Sequence, residues 1–154
     1  MDYLEKLRSW GRGYYKQSFE APEAKVLVVD DNEANLMVAQ KLMRATKVQI
    51  DKALSGEQCL ELTKKKMYHV ILLDCMMPDM DGIQTLRAIR RQENGLCRDT
   101  PLIALTAEAA AGNGQKYLDS GFDGYLAKPV ESSRLEAEIL KFLPDEVIDY
   151  QMNA

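Results

Sequence analysis

The stretch His69-Val-Ile-Leu-Leu-Asp74-Cys-Met-Met-Pro78-Asp79-Met-Asp81-Gly82 decides the fold. Val70 to Leu73 are apolar without a break, and Val70 and Ile71 are β-branched. A run that short, closed by turn formers, reads as a strand buried on both faces of a parallel sheet. Asp74 stands at its end, and Pro78, Asp79, Asp81 and Gly82 then impose a loop. Ile83, Leu86, Ile89 and Arg90 follow at helical spacing. A carboxylate at the carboxyl end of such a strand lies where open α/β sheets hold their ligands. Taken alone, Asp74 reads more readily as a turn-capping aspartate. Its weight depends on the other strand ends.

Upstream, Lys25-Val-Leu-Val-Val-Asp30-Asp31 is a second buried strand closed by acid, here two carboxylates. Asn32 caps the next helix, with Glu33 in its first turn. Leu36, Met37, Ala39, Gln40 and Met43 carry its periodicity. Val48 to Lys52 alternates apolar with polar, as an edge strand does. Ser55-Gly-Glu-Gln58 opens a helix whose apolar positions are Cys59, Leu60 and Leu62. Downstream, Pro101 to Thr106 is a buried strand ending in a hydroxyl. Residues 107 to 118 read as helix but contain Gly112 and Gly114, each costing up to ~1 kcal/mol, which predicts a short or malleable element. Gly124-Tyr-Leu-Ala-Lys128-Pro129 is a fifth strand, ending in a lysine, and Ser132 to Leu143 is the closing amphipathic helix. Strands alternating with helices in this way predict an α/β, doubly wound parallel sheet covered on both faces.

Composition narrows the classes. A chain of 154 residues, 46% hydrophobic and 29% charged, has room for one full core and no disordered bias. No apolar run approaches the ~20 residues of a bilayer span and no signal-peptide pattern opens the chain, so no membrane partner is expected. A net charge of −4 argues against a nucleic-acid surface. Cys59, Cys75 and Cys97 are odd in number and lie in no CxxC pair, which suits buried free thiols in a reduced, cytoplasmic setting. One histidine and no Cys/His cluster exclude a structural zinc site of ordinary spacing.

The flanks differ from the centre. In residues 1–23, Tyr3, Leu4, Leu7 and Trp10 have helical spacing that Gly11 and Gly13 stop, and so short a helix is marginal alone. Trp10, Tyr14, Tyr15 and Phe19 are too aromatic for a solvated linker, so this extension is expected to dock or to self-associate as a homodimer. The central domain runs from 24 to 143, and 144–154 reads as an acidic tail. With so little chain after the last helix, no DNA-binding or enzymatic output domain is expected, whether this is a single-domain regulator or a piece of a larger protein.

Side by side, the strand ends carry Asp30 and Asp31, Asp74, Thr106 and Lys128. Only the edge strand contributes nothing. Carboxylates ~4 Å apart repel by ~4 kcal/mol at an effective dielectric near 20, so three together call for a cation. All-oxygen ligands with room for water and phosphate suit Mg²⁺. A metal-held carboxylate, an ammonium and a hydroxyl donor stabilise a transferring phosphoryl group, with Asp74 as nucleophile forming an acyl phosphate.

Val28-Val29-Asp30-Asp31-Asn32, Leu73-Asp74-Cys-Met-Met-Pro78-Asp79-Met80-Asp81-Gly82, Leu105-Thr106-Ala107 and Tyr125-Leu-Ala-Lys128-Pro129 together resemble the receiver (response regulator) domain of two-component signalling. The resemblance spans about residues 24 to 143 and implies a flavodoxin-like (βα)5 fold of strand order 2-1-3-4-5. It matches Asp74 to the phosphoacceptor, Asp31 to the direct metal ligand with Asp30 beside it, and the Met76 backbone carbonyl to a main-chain ligand of Mg²⁺. Thr106 matches the hydroxyl that turns toward the phosphoryl group, Lys128 its cation, and Tyr125 the aromatic switch. The Lys128–Pro129 bond is expected to be cis. Met76 and Glu108 occupy positions that influence phosphoryl lifetime in such domains. Asn32-Glu-Ala-Asn-Leu further resembles receivers fused to hybrid sensor kinases. The implied function is that of a phosphoacceptor in a phosphorelay, taking its group from a histidine kinase or histidine phosphotransfer protein. Such a domain is not an enzyme with a turned-over substrate, although it promotes its own phosphorylation and dephosphorylation. Its output face would be the fourth and fifth helices and the strand between them.

Blander readings apply elsewhere. His69 is a strand-edge histidine rather than a phosphodonor, Cys75 a packed thiol, and Met76, Met77 and Met80 loop packing. Lys64-Lys65-Lys66 ends a helix, where cations suit the dipole. Two other functions were weighed. A receiver-fold binding module would work without phosphorylation, which the intact polar set argues against. An aspartyl phosphohydrolase would carry Asp-x-Asp, where this chain has Asp74-Cys75-Met76.

Overall fold

The computed structural model describes residues 19–150. Its centre is a five-stranded parallel sheet whose strands are β1 (Lys25–Val29), β2 (Gln49–Ala53), β3 (Val70–Asp74), β4 (Leu102–Thr106) and β5 (Gly124–Ala127). The order is 2-1-3-4-5, as expected. Five α-helices connect and close it: α1 (Glu33–Leu42), α2 (Gly56–Lys65), α3 (Gly82–Arg91), α4 (Gln115–Ser120) and α5 (Ser132–Phe142). The unbroken apolar runs follow from the two-sided cover. Val26, Val28, Val70 and Leu72 pack with Leu36, Leu135 and Ile139 on one face. Their neighbours Leu27, Val29, Ile71 and Leu73 pack with Cys59, Leu86 and Ile89 on the other.

Local chemistry sets the helix starts. Asn32 caps α1 by accepting from the N–H groups of Ala34 and Asn35. Ser55 caps α2 through the Gln58 N–H. Asp81 and Gln84 form a reciprocal capping box on α3. Gly82 is required by close approach, since a Cβ there would lie 2.7 Å from Cys75 Cα and 3.0 Å from the Asp74 carbonyl oxygen. Asp79 sits in left-handed backbone, φ 66°, a conformation that Asp tolerates better than most residues.

Four expectations change. In α1, Leu36 and Ala39 are buried, as is Met43 at its carboxyl cap, whereas Met37 is 54% exposed and Gln40 also faces solvent; the helix buries a narrower stripe than its apolar content suggests. The edge strand is shifted by one residue and keeps its alternation only in part. The segment after β4 is not one helix: a 3₁₀ turn covers Ala107–Ala111, Gly112 closes it at φ 84°, and α4 has six residues. Finally, the flanks meet. Phe19–Glu20 pairs antiparallel with Asp149–Tyr150, Phe19 against Tyr150, and Phe19 is fully buried. The region after Pro144 therefore includes a 3₁₀ turn and a strand before residue 151. Tyr3, Leu4, Leu7, Trp10, Tyr14 and Tyr15 lie outside the described residues.

Candidate functional site

The sheet ladder runs one residue past several strands and so fixes their polar ends. The Asp30 N–H donates to the Ala53 carbonyl (3.1 Å), the Cys75 N–H to Leu105 (3.1 Å) and the Lys128 N–H to Thr106 (3.1 Å). Asp30, Asp74 and Thr106 are thereby held buried on the carboxyl rim. Asp31, one residue further on, is exposed.

Lys128 Nζ joins the strand ends, donating to Asp74 Oδ1 at 3.0 Å and to Asp30 Oδ2 at 3.3 Å. The Met76 N–H adds a second bond to Asp74 Oδ1, 3.3 Å. Asp30 Oδ1 accepts from the Asn32 N–H (3.0 Å) and from Asn35 Nδ2 (3.3 Å). Ligand oxygens of Asp30, Asp31 and Asp74 lie within 4.8 Å of one another. Burial pushes the Asp74 carboxyl above the usual aspartate range, with Lys128 opposing and Asp30 reinforcing the shift. Burial pulls Lys128 down, but its bond to Asp74 and the field of both carboxylates prevail and raise it. Three carboxylates facing one ammonium leave negative charge uncompensated. This oxygen-only donor set therefore fits a hard divalent cation.

Thr106 Oγ1 accepts from the Glu108 N–H (3.1 Å) and meets Tyr117 Oη at 3.2 Å. Tyr117, nearly fully buried, also donates to Glu108 Oε2 at 3.2 Å. Glu108 forms an ion pair with Lys116, whose hydrogen bond holds the Glu108 carboxyl below its usual range. Tyr125 is 38% exposed. Its ring occupies the place where a Cβ on Gly114 would stand, 2.3 Å from Cε2 and Cζ. The Lys128–Pro129 peptide bond is cis.

The rim thus gathers Asp30, Asp31, Asp74 and Lys128, with Thr106 on the adjoining strand. His69 lies at the other pole, where its Nδ1 accepts from the Lys25 N–H (2.9 Å). Cys75 is buried, and burial pushes its thiol to about 12. Met77 packs in the core, but Met76 does not: it is 69% exposed. Asn35 and Tyr117 escaped the sequence reading. Asn35 had a signal, one turn after the Asn32 cap beside the strand end. Tyr117 had only the general need of a buried tyrosine for a hydrogen-bond partner.

The profile of the response regulator receiver domain matches residues 26–140. The signal transduction histidine-protein kinase BarA of Shigella flexneri is 40% identical over 119 residues, which are 77% of this chain and 13% of that protein. The chain thus spans about an eighth of the curated relative it matches. The crystal structure of the receiver domain of the Pseudomonas aeruginosa sensor histidine kinase PA1611, with magnesium coordinated in its active site cleft, is 34% identical. It superposes with a TM-score of 0.68 over 77% of this chain and 96% of that one. The receiver domain of Saccharomyces cerevisiae Ssk1, solved with the histidine phosphotransfer protein Ypd1, is 26% identical, with a TM-score of 0.72 over 86% and 94% of the two chains.

Proposed function

The chain belongs to the response regulator receiver family, and on that premise we propose that it is a phosphoacceptor, with Asp74 taking a phosphoryl group from a phosphohistidine. The observation that carries this reading is the joint engagement of Asp74 and Asp30 by Lys128 on one buried rim. An Asp74 carboxylate oxygen forms the new bond to phosphorus, and the bond from phosphorus to the donor imidazole nitrogen breaks. Lys128 Nζ is placed to neutralise charge on the transferring group. The oxygens of Asp30, Asp31 and Asp74, with the Met76 carbonyl, would hold Mg²⁺. Bound there, the ion would offset the charge of the phosphoryl oxygens.

The added phosphate carries about −1.5 to −2 charges and favours the arrangement in which Thr106 donates to it and Tyr125 follows, a population shift. Donors of the class implied by the relatives are a histidine kinase or a histidine phosphotransfer protein. The domain division 1–23, 24–143 and 144–154, a cytoplasmic setting and docking or self-association as a homodimer through residues 1–23 complete the proposal. Among the described residues no helix is long and apolar enough to cross a membrane.

Intact mass after incubation with Mg²⁺ and acetyl phosphate tests it. One phosphoryl adduct is expected in the wild type and none in Asp74→Ala; an adduct persisting in the variant rules Asp74 out.

A further inference from the structure

We propose that Tyr117 is a latch on the Thr106 hydroxyl, a positioning residue that must let go before Thr106 can serve the Asp74 phosphoryl group. The inference rests on the receiver reading above and adds a residue to it. It follows from counting protons. A phenol has one proton to give, and the Glu108 carboxylate, paired with Lys116, can only accept. The Tyr117 proton therefore goes to Glu108 Oε2, and Tyr117 Oη is left to accept. The contact between Thr106 Oγ1 and Tyr117 Oη then has Thr106 as its donor. Thr106 itself accepts from the Glu108 N–H. One consistent ring results, from the Glu108 N–H through Thr106 and Tyr117 back to the Glu108 carboxylate.

The single proton that Thr106 would give to a phosphoryl oxygen is thus already given to Tyr117. The two engagements exclude each other. Both oxygen–oxygen distances are 3.2 Å, against about 2.7–2.8 Å for a well-formed O–H···O bond. These are loose bonds, suited to release. Tyr117 also anchors α4, where its ring meets Phe122 edge-on with centroids 6.1 Å apart.

The test is a double-mutant cycle read by the rate of labelling with acetyl phosphate and Mg²⁺, followed by intact mass. Tyr117→Phe keeps the ring and removes only the hydroxyl. It should speed labelling roughly two- to fivefold, the range a single loose neutral hydrogen bond supplies. The same acceleration should appear in a Thr106→Ser background, which keeps a hydroxyl to latch, and vanish in Thr106→Ala. An equal acceleration in Thr106→Ala would mean that Tyr117 acts through packing and would overturn the latch, as would no acceleration in any background. Absence of an adduct in the wild type would instead remove the phosphoacceptor reading, and the latch with it. Thermal melts of each variant establish that the compared proteins are folded.

Discussion

Asp74 is buried, and the phosphoacceptor role proposed for it needs a carboxylate, the form that Lys128 favours. Burial is the largest influence on its carboxyl and raises it; the ammonium at 3.0 Å pulls it back. In Lys128→Ala, burial and repulsion from Asp30 remain, and both favour the protonated acid. Asp74 should therefore titrate higher in that variant than in the wild type, read in metal-free protein by carboxyl-carbon NMR; an unchanged or lower midpoint would contradict the geometry. Residues of this kind were legible in the sequence because each closes a strand, and a strand end is an address. Asn35, five residues after Asp30, left only the local signal of the Asn32 cap, and Tyr117 left none of its own because its partner depends on how the loop after β4 folds back. Tyr117 reaches Thr106 across 11 positions of chain that contain no continuous helix.

Among the elements, β2 shows how polar side chains help to hold an edge strand whose apolar cover is limited to Ile50 and Ala53. Asp51 Oδ2 accepts from Lys66 Nζ at 2.8 Å and from Tyr68 Oη at 2.6 Å, tying the edge strand to the segment that enters β3. The Lys66 hydrogen bond, then that of Tyr68, holds the Asp51 carboxyl below its usual range. Because the folded value lies below the unfolded one, this stabilisation is present above the ordinary aspartate range, about pH 4. It fades as pH falls through the folded value. Asp51→Asn should thus lose roughly 0.5–1 kcal/mol at pH 7, as half-exposed pairs do, and nothing below the folded value; urea midpoints at both pH values check this. The alternation of residues 48 to 52 announced an edge, yet the tie itself was unreadable, since Lys66 looked like one of three helix-ending lysines. The segment after β4 misled for a different reason. Alanines favour helix, but Gly112 in left-handed backbone ends the first turn, and the chain must restart at Gln115.

For the whole molecule, the two-sided core was readable from unbroken apolar strands alternating with amphipathic helices, while the strand order came only with the resemblance to receiver domains. What no periodicity conveyed was the pairing of Phe19–Glu20 with Asp149–Tyr150, because two-residue strands carry no pattern. That pairing lies at the amino-terminal pole of the sheet, where the Ala21 N–H reaches the Thr46 carbonyl just ahead of β2, opposite the Asp74 rim. The pairing of Phe19 with Tyr150 makes the described domain a candidate for circular permutation. A permutant that joins residue 150 to residue 19 through a short flexible linker and opens between the exposed Glu93 and Asn94 should melt cooperatively and still take up one phosphoryl group; a chain that fails to fold would show that the order of the elements along the chain is indispensable. The paired flanks also act as a single mooring. A neighbour fused before Phe19 or after Tyr150, or a pull exerted through either, meets the domain at one clasp on the far side, and the rim can rearrange while its anchorage stays still.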